Sequence, residues 1–146
     1  MTRSADAEIP TSEELYRSIS RDDLAGDDVL PSAVDLPRCS FNRSKYSVPE
    51  SVIVEARPND TGIVSVTPER LPEPVPRASA PERPYEFFAQ DDPNPPEDPA
   101  NDAHCEVRIR PRGQAFSKNH KVNKEILAKA KDALARKLHL VRHPNG

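Results

Sequence analysis

The stretch HCEVRIR, residues His104–Arg110, alternates between apolar and polar side chains. Because successive side chains of a strand point to opposite faces of a sheet, this alternation predicts a β-strand with one face in a core and the other in polar surroundings. Pro111 follows the stretch and is expected to end the strand. The predicted polar face carries His104, Glu106, Arg108 and Arg110.

A helical pattern dominates the C-terminal part of the chain. Apolar residues recur at helical spacing from Val122 to Leu138, and acidic residues stand four positions before basic ones. We expect a basic helix that begins near Ser117 or Asn123 and ends near Leu140. With the short strands indicated elsewhere, the sequence predicts the α+β class: a small single domain with a few short strands, a proline-rich loop and a C-terminal basic helix.

The chain divides into three predicted segments. Residues 1–12 are expected to form a disordered lead, residues 13–116 a small α+β domain, and residues 117–146 the C-terminal basic helix and tail. Ten of the 17 prolines fall between residues 68 and 99. Proline has no N–H to donate to a sheet ladder, so this density predicts a proline-rich loop at 68–99.

Two segments are compatible with more than one structure. Residues 47–50, Ser-Val-Pro-Glu, have capping-box spacing and put a proline in the first turn, which favours a helix over 48–57. The β-branched run at 52–54 favours a strand instead, which would form a hairpin with 63–66. Residues 14–19 fit either a short capped helix or a first strand.

The composition argues against several classes of site. The four glycines stand far apart in the sequence, so no glycine-rich phosphate loop and no dinucleotide fingerprint can be written with them. No apolar leader or membrane-spanning run is present.

The two cysteines, Cys39 and Cys105, predict reduced thiols in a cytoplasmic protein. His139 and His143 are spaced four apart, but nothing nearby completes a metal site, so no metal and no cofactor are predicted.

The charge is distributed unevenly. Residues 1–100 carry 20 acidic and 10 basic side chains, whereas residues 101–146 carry 11 basic and 4 acidic ones. The basic segment 108–142 therefore either binds nucleic acid through phosphate contacts or docks on the acidic part of the same chain. The candidate nucleic-acid contacts are Arg108, Arg110, Arg112, Lys118, Lys121 and Lys124.

Four residues are candidates for catalysis: Arg17, Ser44, His104 and Glu106. On one strand face, His104 and Glu106 could serve as acid and base. Arg17, Ser44 and Glu106 resemble the Arg–Ser–Glu plan of ADP-ribosyltransferases, in which the arginine holds a pyrophosphate and the glutamate orients the ribose. This resemblance implies an enzyme acting on a nucleotide-like ligand, provided that the four residues converge in one pocket.

Scattered motifs resemble a pattern found in small uncharacterised bacterial domains. They are Leu15–Ile19 (Leu-Tyr-Arg-Ser-Ile), Arg43-Ser44-Lys45, Pro49-Glu50 and Asn101–Val107 (Asn-Asp-Ala-His-Cys-Glu-Val). The resemblance implies a bacterial, cytoplasmic accessory protein and indicates no chemistry. The leading hypothesis is therefore an accessory protein that binds another protein, with an enzyme less favoured and no membrane association. Its candidate contact surfaces are the proline-rich segment, which polyproline-binding partners recognise, and the polar strand face.

Overall fold

A computed structural model describes residues 3–93 and 101–145 of the chain. Six strands form one antiparallel sheet, two form a small hairpin, and one α-helix is present among the described residues. This architecture confirms the predicted α+β class. The elements are β1 (Leu15–Ile19), β2 (Leu24–Ala25), β3 (Asp28–Val29), β4 (Arg38–Arg43), β5 (Gly62–Val66), β6 (Tyr85–Asp91), β7 (His104–Pro111), α1 (Lys124–Lys137) and β8 (His139–Arg142).

The large sheet has the strand order β6-β7-β4-β1-β5-β8, and every neighbouring pair is antiparallel. β4 and β1 form the centre, and the chain crosses the sheet several times to reach both edges. The β2–β3 hairpin turns at Gly26, whose φ of 63° explains the glycine there. Polar residues distant in sequence therefore meet in the middle of the sheet.

The predicted alternation in β7 is confirmed. Cys105, Val107 and Ile109 are buried against the core, at no more than 2% exposure. Their neighbours point to the opposite face, where Glu106 lies beside Ser40 of β4 in the strand register. The sheet thus has an apolar face and a polar face, as the sequence indicates.

The apolar face is covered by α1, whose predicted helical character is confirmed. Asn123 caps the helix, because its side chain accepts a hydrogen bond from the Glu125 N–H at 2.8 Å. Ala130 and Leu134 are fully buried in one core cluster with Phe41 of β4. Packing this stripe against the sheet leaves the other sheet face free of α1.

The helix favoured over 48–57 is wrong. Only Pro49–Val52 is helical, as a single 3-10 turn. The Ser47 hydroxyl donates to the carbonyl of Arg43 at 2.7 Å, so it does not cap a helix. The β-branched run that follows disfavours continuation. The alternative hairpin is also wrong, because β5 pairs with β1 and β8.

The N-terminal segment differs from its predicted disorder over residues 3–12. Ile9 is buried in the core cluster, and Arg3 makes a bidentate ion pair with Asp91 at 2.6 and 2.7 Å. The backbone N–H of Asp6 also donates to Asp91, at 2.6 Å. The N-terminal segment is therefore bound to the end of β6 through Asp91. Sequence periodicity gives no signal of contacts between residues so far apart in the chain.

Two further elements depart from the predicted boundaries. The proline-rich loop at 68–99 contains β6, which pairs with β7 along its full length at one edge of the sheet. Residues 94–99 lie outside the described residues. The helix ends at Lys137 instead of near Leu140, because residues 139–142 turn back as β8 and pair with β5. Of the two structures compatible with residues 14–19, the structure shows the strand, as β1.

Candidate functional site

A polar cavity of about 640 Å³ opens on the sheet face away from α1. This volume is within the ~300–1,000 Å³ typical of small-molecule sites. Strands β1, β4 and β7 form its floor, and the 3-10 turn with the residues after it contributes to its wall. The lining residues are Tyr16, Arg17, Ser18, Arg38, Ser40, Phe41, Asn42, Ser51, Val52, Val54, Arg57, Asp92, Asn101, His104, Glu106 and Lys118.

His104 and Ser40 form a hydrogen-bonded pair on the cavity floor. Nε2 of His104 lies 3.1 Å from Oγ of Ser40, and Nδ1 lies 2.6 Å from the backbone carbonyl oxygen of Asp92. A carboxylate oxygen of Asp92 is 3.7 Å from the same Nδ1. The imidazole is thus held on both sides, with its side chain 12% exposed.

Glu106 is buried next to this pair and has its own cationic partners. Its Oε1 accepts a hydrogen bond from Nε of Arg108 at 2.7 Å, and Nη2 of the same guanidinium forms an ion pair with that oxygen at 2.7 Å. Arg38 is 3.9 Å from its other carboxylate oxygen. Arg38 and Arg108 lie opposite each other in the register of β4 and β7. Together they compensate the charge of Glu106 in its buried position.

Arg17 lines the cavity, but its guanidinium is engaged in structural contacts. Nε donates to the carbonyl of Ala33 at 2.7 Å and Nη1 to the carbonyl of Ser40 at 3.0 Å. Nη2 pairs with Asp35 at 3.1 Å. β1 and β4 are paired only as far as Tyr16. Beyond that point the side chain of Arg17 connects the two strands, and its bond to the Ser40 carbonyl holds the backbone of β4 in place.

An amide network ties the cavity wall to the floor. Asn42 donates from Nδ2 to the hydroxyl of Ser51 at 3.0 Å and accepts from Asn101 at 2.9 Å. Ser51 belongs to the 3-10 turn, whereas Asn101 precedes β7. Asn42 therefore fixes two loops around the cavity from the central strand β4.

The cavity lining has an excess of basic residues. It contains four basic and two acidic residues, and both acids also lie near Arg108, which is not part of the lining. Arg57 and Lys118 are exposed, and their side chains donate no hydrogen bond to any described residue. We call Arg38, Arg57 and Lys118 the cationic rim. These exposed side chains can move toward an anion with little loss of existing contacts.

The structure brings together three of the four predicted catalytic candidates. Arg17, His104 and Glu106 line one cavity. Ser44 does not belong to its lining. It follows the end of β4, where its backbone N–H donates to the carbonyl of Glu14 at 3.0 Å. The Arg–Ser–Glu plan of ADP-ribosyltransferases is thus incomplete here. Sequence analysis missed Ser40, although its position two residues before Asn42 on an alternating strand indicates the same face.

The predicted nucleic-acid contacts do not form one free basic surface. Arg108 is paired with Glu106, and Arg110 is paired with Glu86 at 3.0 Å. Both guanidiniums also stack on aromatic rings, at 4.6 Å from Phe116 and 4.0 Å from Phe88. The remaining candidates are exposed: Arg112, Lys118, Lys121 and Lys124.

Both cysteines are buried, free thiols on the apolar sheet face. Burial raises the pKa of Cys39 and of Cys105, which disfavours the thiolate form of both. Among residues 3–93 and 101–145, no three His, Cys, Asp or Glu side chains are grouped closely enough to hold a metal ion. Within the same ranges, the structure contains no helix of the length and apolarity needed to cross a membrane.

Comparison with protein-family models, curated proteins and solved structures finds no match to this chain. Inference about function therefore rests on the geometry and charge of the cavity.

Proposed function

We propose that this protein is an accessory protein that binds a small phosphate-bearing ligand of nucleotide size on the polar face of its sheet. The observation that carries the proposal is the cationic rim above a floor of hydroxyl and amide groups. Phosphate oxygens are acceptors only, and guanidinium and ammonium groups are their preferred partners in proteins. The floor offers Ser40, Asn42 and Tyr16 for the uncharged part of such a ligand.

The two buried thiols support the cytoplasmic location that belongs to this proposal. Binding of a protein partner remains the leading prediction for how the accessory protein acts. The proline-rich segment is partly committed to the fold, because Val75 is buried and exchanges backbone hydrogen bonds with Tyr85 at 2.8 and 2.9 Å. We therefore favour the polar sheet face as the surface that contacts the protein partner, with the bound ligand regulating that contact.

Nucleic-acid association through residues 108–142 remains the alternative. It has the support of the exposed Lys118, Lys121 and Lys124, and it predicts an affinity that falls steeply with salt. Two arginines of the segment are neutralised by carboxylates, which reduces the positive potential available to a polyanion. This pairing makes the small-ligand proposal the stronger of the two.

The proposal is tested by titration calorimetry with adenosine monophosphate, with adenosine as the uncharged probe. Replacing Arg57 and Lys118 together by glutamine removes two rim charges without touching the floor. Because a hydrogen bond to a charged group contributes about 1.5–3 kcal/mol, we expect the double variant to bind the nucleotide at least ~10-fold more weakly.

The matched control replaces Arg70 and Lys137, two exposed cations outside the cavity lining, by glutamine. This control should bind the nucleotide like the unaltered protein. Equal weakening in both double variants would show a general charge effect and contradict the cavity as the site. Binding of adenosine as tight as that of the nucleotide would contradict the role of the phosphate.

A further inference from the structure

We propose that Ser40 and His104 form a nucleophile–base pair that hydrolyses a carboxylic ester bound in the polar cavity. The inference rests on the proposed function for one point only: the substrate's anionic group is the part held by the cationic rim. The pair itself is defined by its own geometry. Neither the composition nor the spacing of the sequence singles out Ser40 for this role.

The hydrogen bonds around His104 determine its tautomer. The Asp92 carbonyl oxygen, 2.6 Å from Nδ1, can only accept a hydrogen bond, so Nδ1 carries the proton. In a neutral imidazole the other nitrogen is then an acceptor. Nε2 therefore accepts the hydrogen bond of the Ser40 hydroxyl across 3.1 Å. This is the arrangement in which a histidine removes a proton from a serine nucleophile.

The surroundings of the pair match this proton transfer. The Asp92 carboxylate, 3.7 Å from Nδ1, stabilises the imidazolium that forms when Nε2 takes the proton. The side chain of His104 is 12% exposed, so the base is screened from bulk water. The Ser40 residue is exposed toward the cavity and can be reached by a ligand.

The charges near Ser40 favour a neutral reacting group. Glu106 lies directly across from Ser40 in the register of β4 and β7, on the same sheet face. Arg38 and Arg108 compensate part of the charge of Glu106 and Asp92. Two carboxylates on this face still disfavour a phosphate anion at the hydroxyl more than an uncharged ester carbonyl. A phosphate elsewhere in the substrate remains free to contact Arg57 and Lys118. The substrate class is thus a carboxylic ester that carries an anionic group away from the ester carbonyl.

The reaction proceeds in two balanced halves. Oγ of Ser40 attacks the ester carbonyl carbon while its proton moves to Nε2 of His104. The C–O bond to the alcohol breaks, and the alcohol leaves with the proton from His104, giving an acyl-serine. Water then attacks the acyl group, giving its proton to His104. The C–O bond to Ser40 breaks as that proton returns to Oγ, which releases the carboxylic acid.

Arg38 is the cation best placed for the oxyanion that develops on the carbonyl oxygen. It stands two residues before Ser40 on β4, so both side chains project from the same face of the sheet. Its guanidinium belongs to the cavity lining and lies 3.9 Å from Glu106, the residue opposite Ser40. A guanidinium that donates to the developing oxyanion stabilises the transition state more than the neutral carbonyl of the bound ester.

The test measures hydrolysis of p-nitrophenyl acetate by the full chain, and intact-mass spectrometry with peptide mapping locates any acetyl group. Ser40→Ala and His104→Gln should each reduce kcat/KM at least ~100-fold, the effect of losing a nucleophile or its base. Ser44→Ala is the matched control, since Ser44 lies outside the cavity lining. Its kcat/KM should equal that of the unaltered protein.

Two outcomes overturn the nucleophile assignment: hydrolysis that persists in Ser40→Ala, or an acetyl group found on a lysine instead of Ser40. Circular dichroism of each variant shows whether it is folded, and His104→Gln provides the second variant should Ser40→Ala unfold. Measuring both adenosine monophosphate binding and esterase activity of the unaltered protein separates the two proposals. If the protein binds the nucleotide but has no esterase activity, the nucleophile–base pair alone is overturned. If it has esterase activity but does not bind the nucleotide, the phosphate site alone is overturned.

Discussion

Nη2 of Arg43 lies 2.7 Å from Oε1 of Glu13, and Nε of the same guanidinium lies 2.9 Å from Oε2. The Arg43 side chain is completely buried, and that of Glu13 is 7% exposed. Asp6 and Asp91 also contact this guanidinium, at 2.7 and 3.2 Å. The bidentate pair joins the N-terminal segment to the end of β4, and it raises the pKa of Arg43 above its ordinary value.

Replacing Arg43 by methionine should destabilise the protein strongly. The substitution leaves Asp91 and Glu13 in buried positions without their shared cation, and such a broken buried pair costs about 3–5 kcal/mol. Urea unfolding gives the free energy directly. Arg70→Met, at an exposed position, is the control and should stay within about 0.5 kcal/mol of the unaltered protein. A loss at Arg43 as small as that of the control would contradict the buried network.

Acid should weaken the same network through Asp91. Burial alone would raise the pKa of Asp91, but hydrogen bonds from Arg3, the Asp6 N–H and Arg43 outweigh it and hold the pKa at about 2. Because the folded-state pKa lies below the unfolded value of 3.8, the stabilisation is complete above about pH 4 and is lost as the pH falls through 2. We expect this group to contribute about 2 kcal/mol.

The measurement is the free energy of unfolding as a function of pH, compared between the unaltered protein and Asp91→Asn. The asparagine variant should be less stable at pH 7 and should show a shallower fall between pH 4 and pH 2. If the stability of both proteins fell equally between pH 4 and pH 2, the ion pairs of Asp91 would not contribute to stability as described.

Gly62 and Pro144 should be energetically coupled. A Cβ added at Gly62 would lie 2.7 Å from Cγ of Pro144 and 3.0 Å from Cγ1 of Ile19. Gly62→Ala should therefore cost about 1–3 kcal/mol through overpacking. Pro144→Ala removes the clashing ring atoms, so the double variant should lose less stability than the two single variants added together. Additive losses in this double-mutant cycle would contradict the contact.

Leu134 of α1 should be a major contributor to the core. Its side chain has no exposure to solvent, and truncation of such a leucine to alanine costs about 2–5 kcal/mol. Lys137→Ala, at an exposed position of the same helix, should change the free energy of unfolding by less than about 0.5 kcal/mol. A small loss at Leu134 would show that α1 does not cover the sheet as described.

Local sequence patterns predict those strands and helices whose structure depends mainly on residues close together in the chain. The alternation of β7 and the periodicity of α1 each follow from side chains that face one core, so they were predicted correctly. The prediction of a helix after Pro49 was wrong because capping signals and β-branched residues in that segment favour different structures. Ser47 donates back to the Arg43 carbonyl instead of capping a helix, and Asn42 of β4 holds Ser51 in the short turn.

The candidate site was predicted in part for the same reason. His104 and Glu106 were found because one strand carries both, and Arg17 was found separately. Ser40 was missed because its role depends on the register between β4 and β7, which sets it beside Glu106 and within reach of His104. Pairing of distant strands is not encoded in any one stretch of sequence. The engagement of Arg43 with the N-terminal segment escaped prediction on the same physical ground.

The most direct test of the central claim is to map where adenosine monophosphate binds by following backbone amide signals in ¹H–¹⁵N NMR spectra. We predict that the perturbed signals cluster at Ser40, Asn42, Arg57, His104 and Lys118, and that adenosine shifts them less. Perturbations that follow the exposed face of α1 instead, or no perturbation at millimolar nucleotide, would contradict a ligand site on the polar face of the sheet.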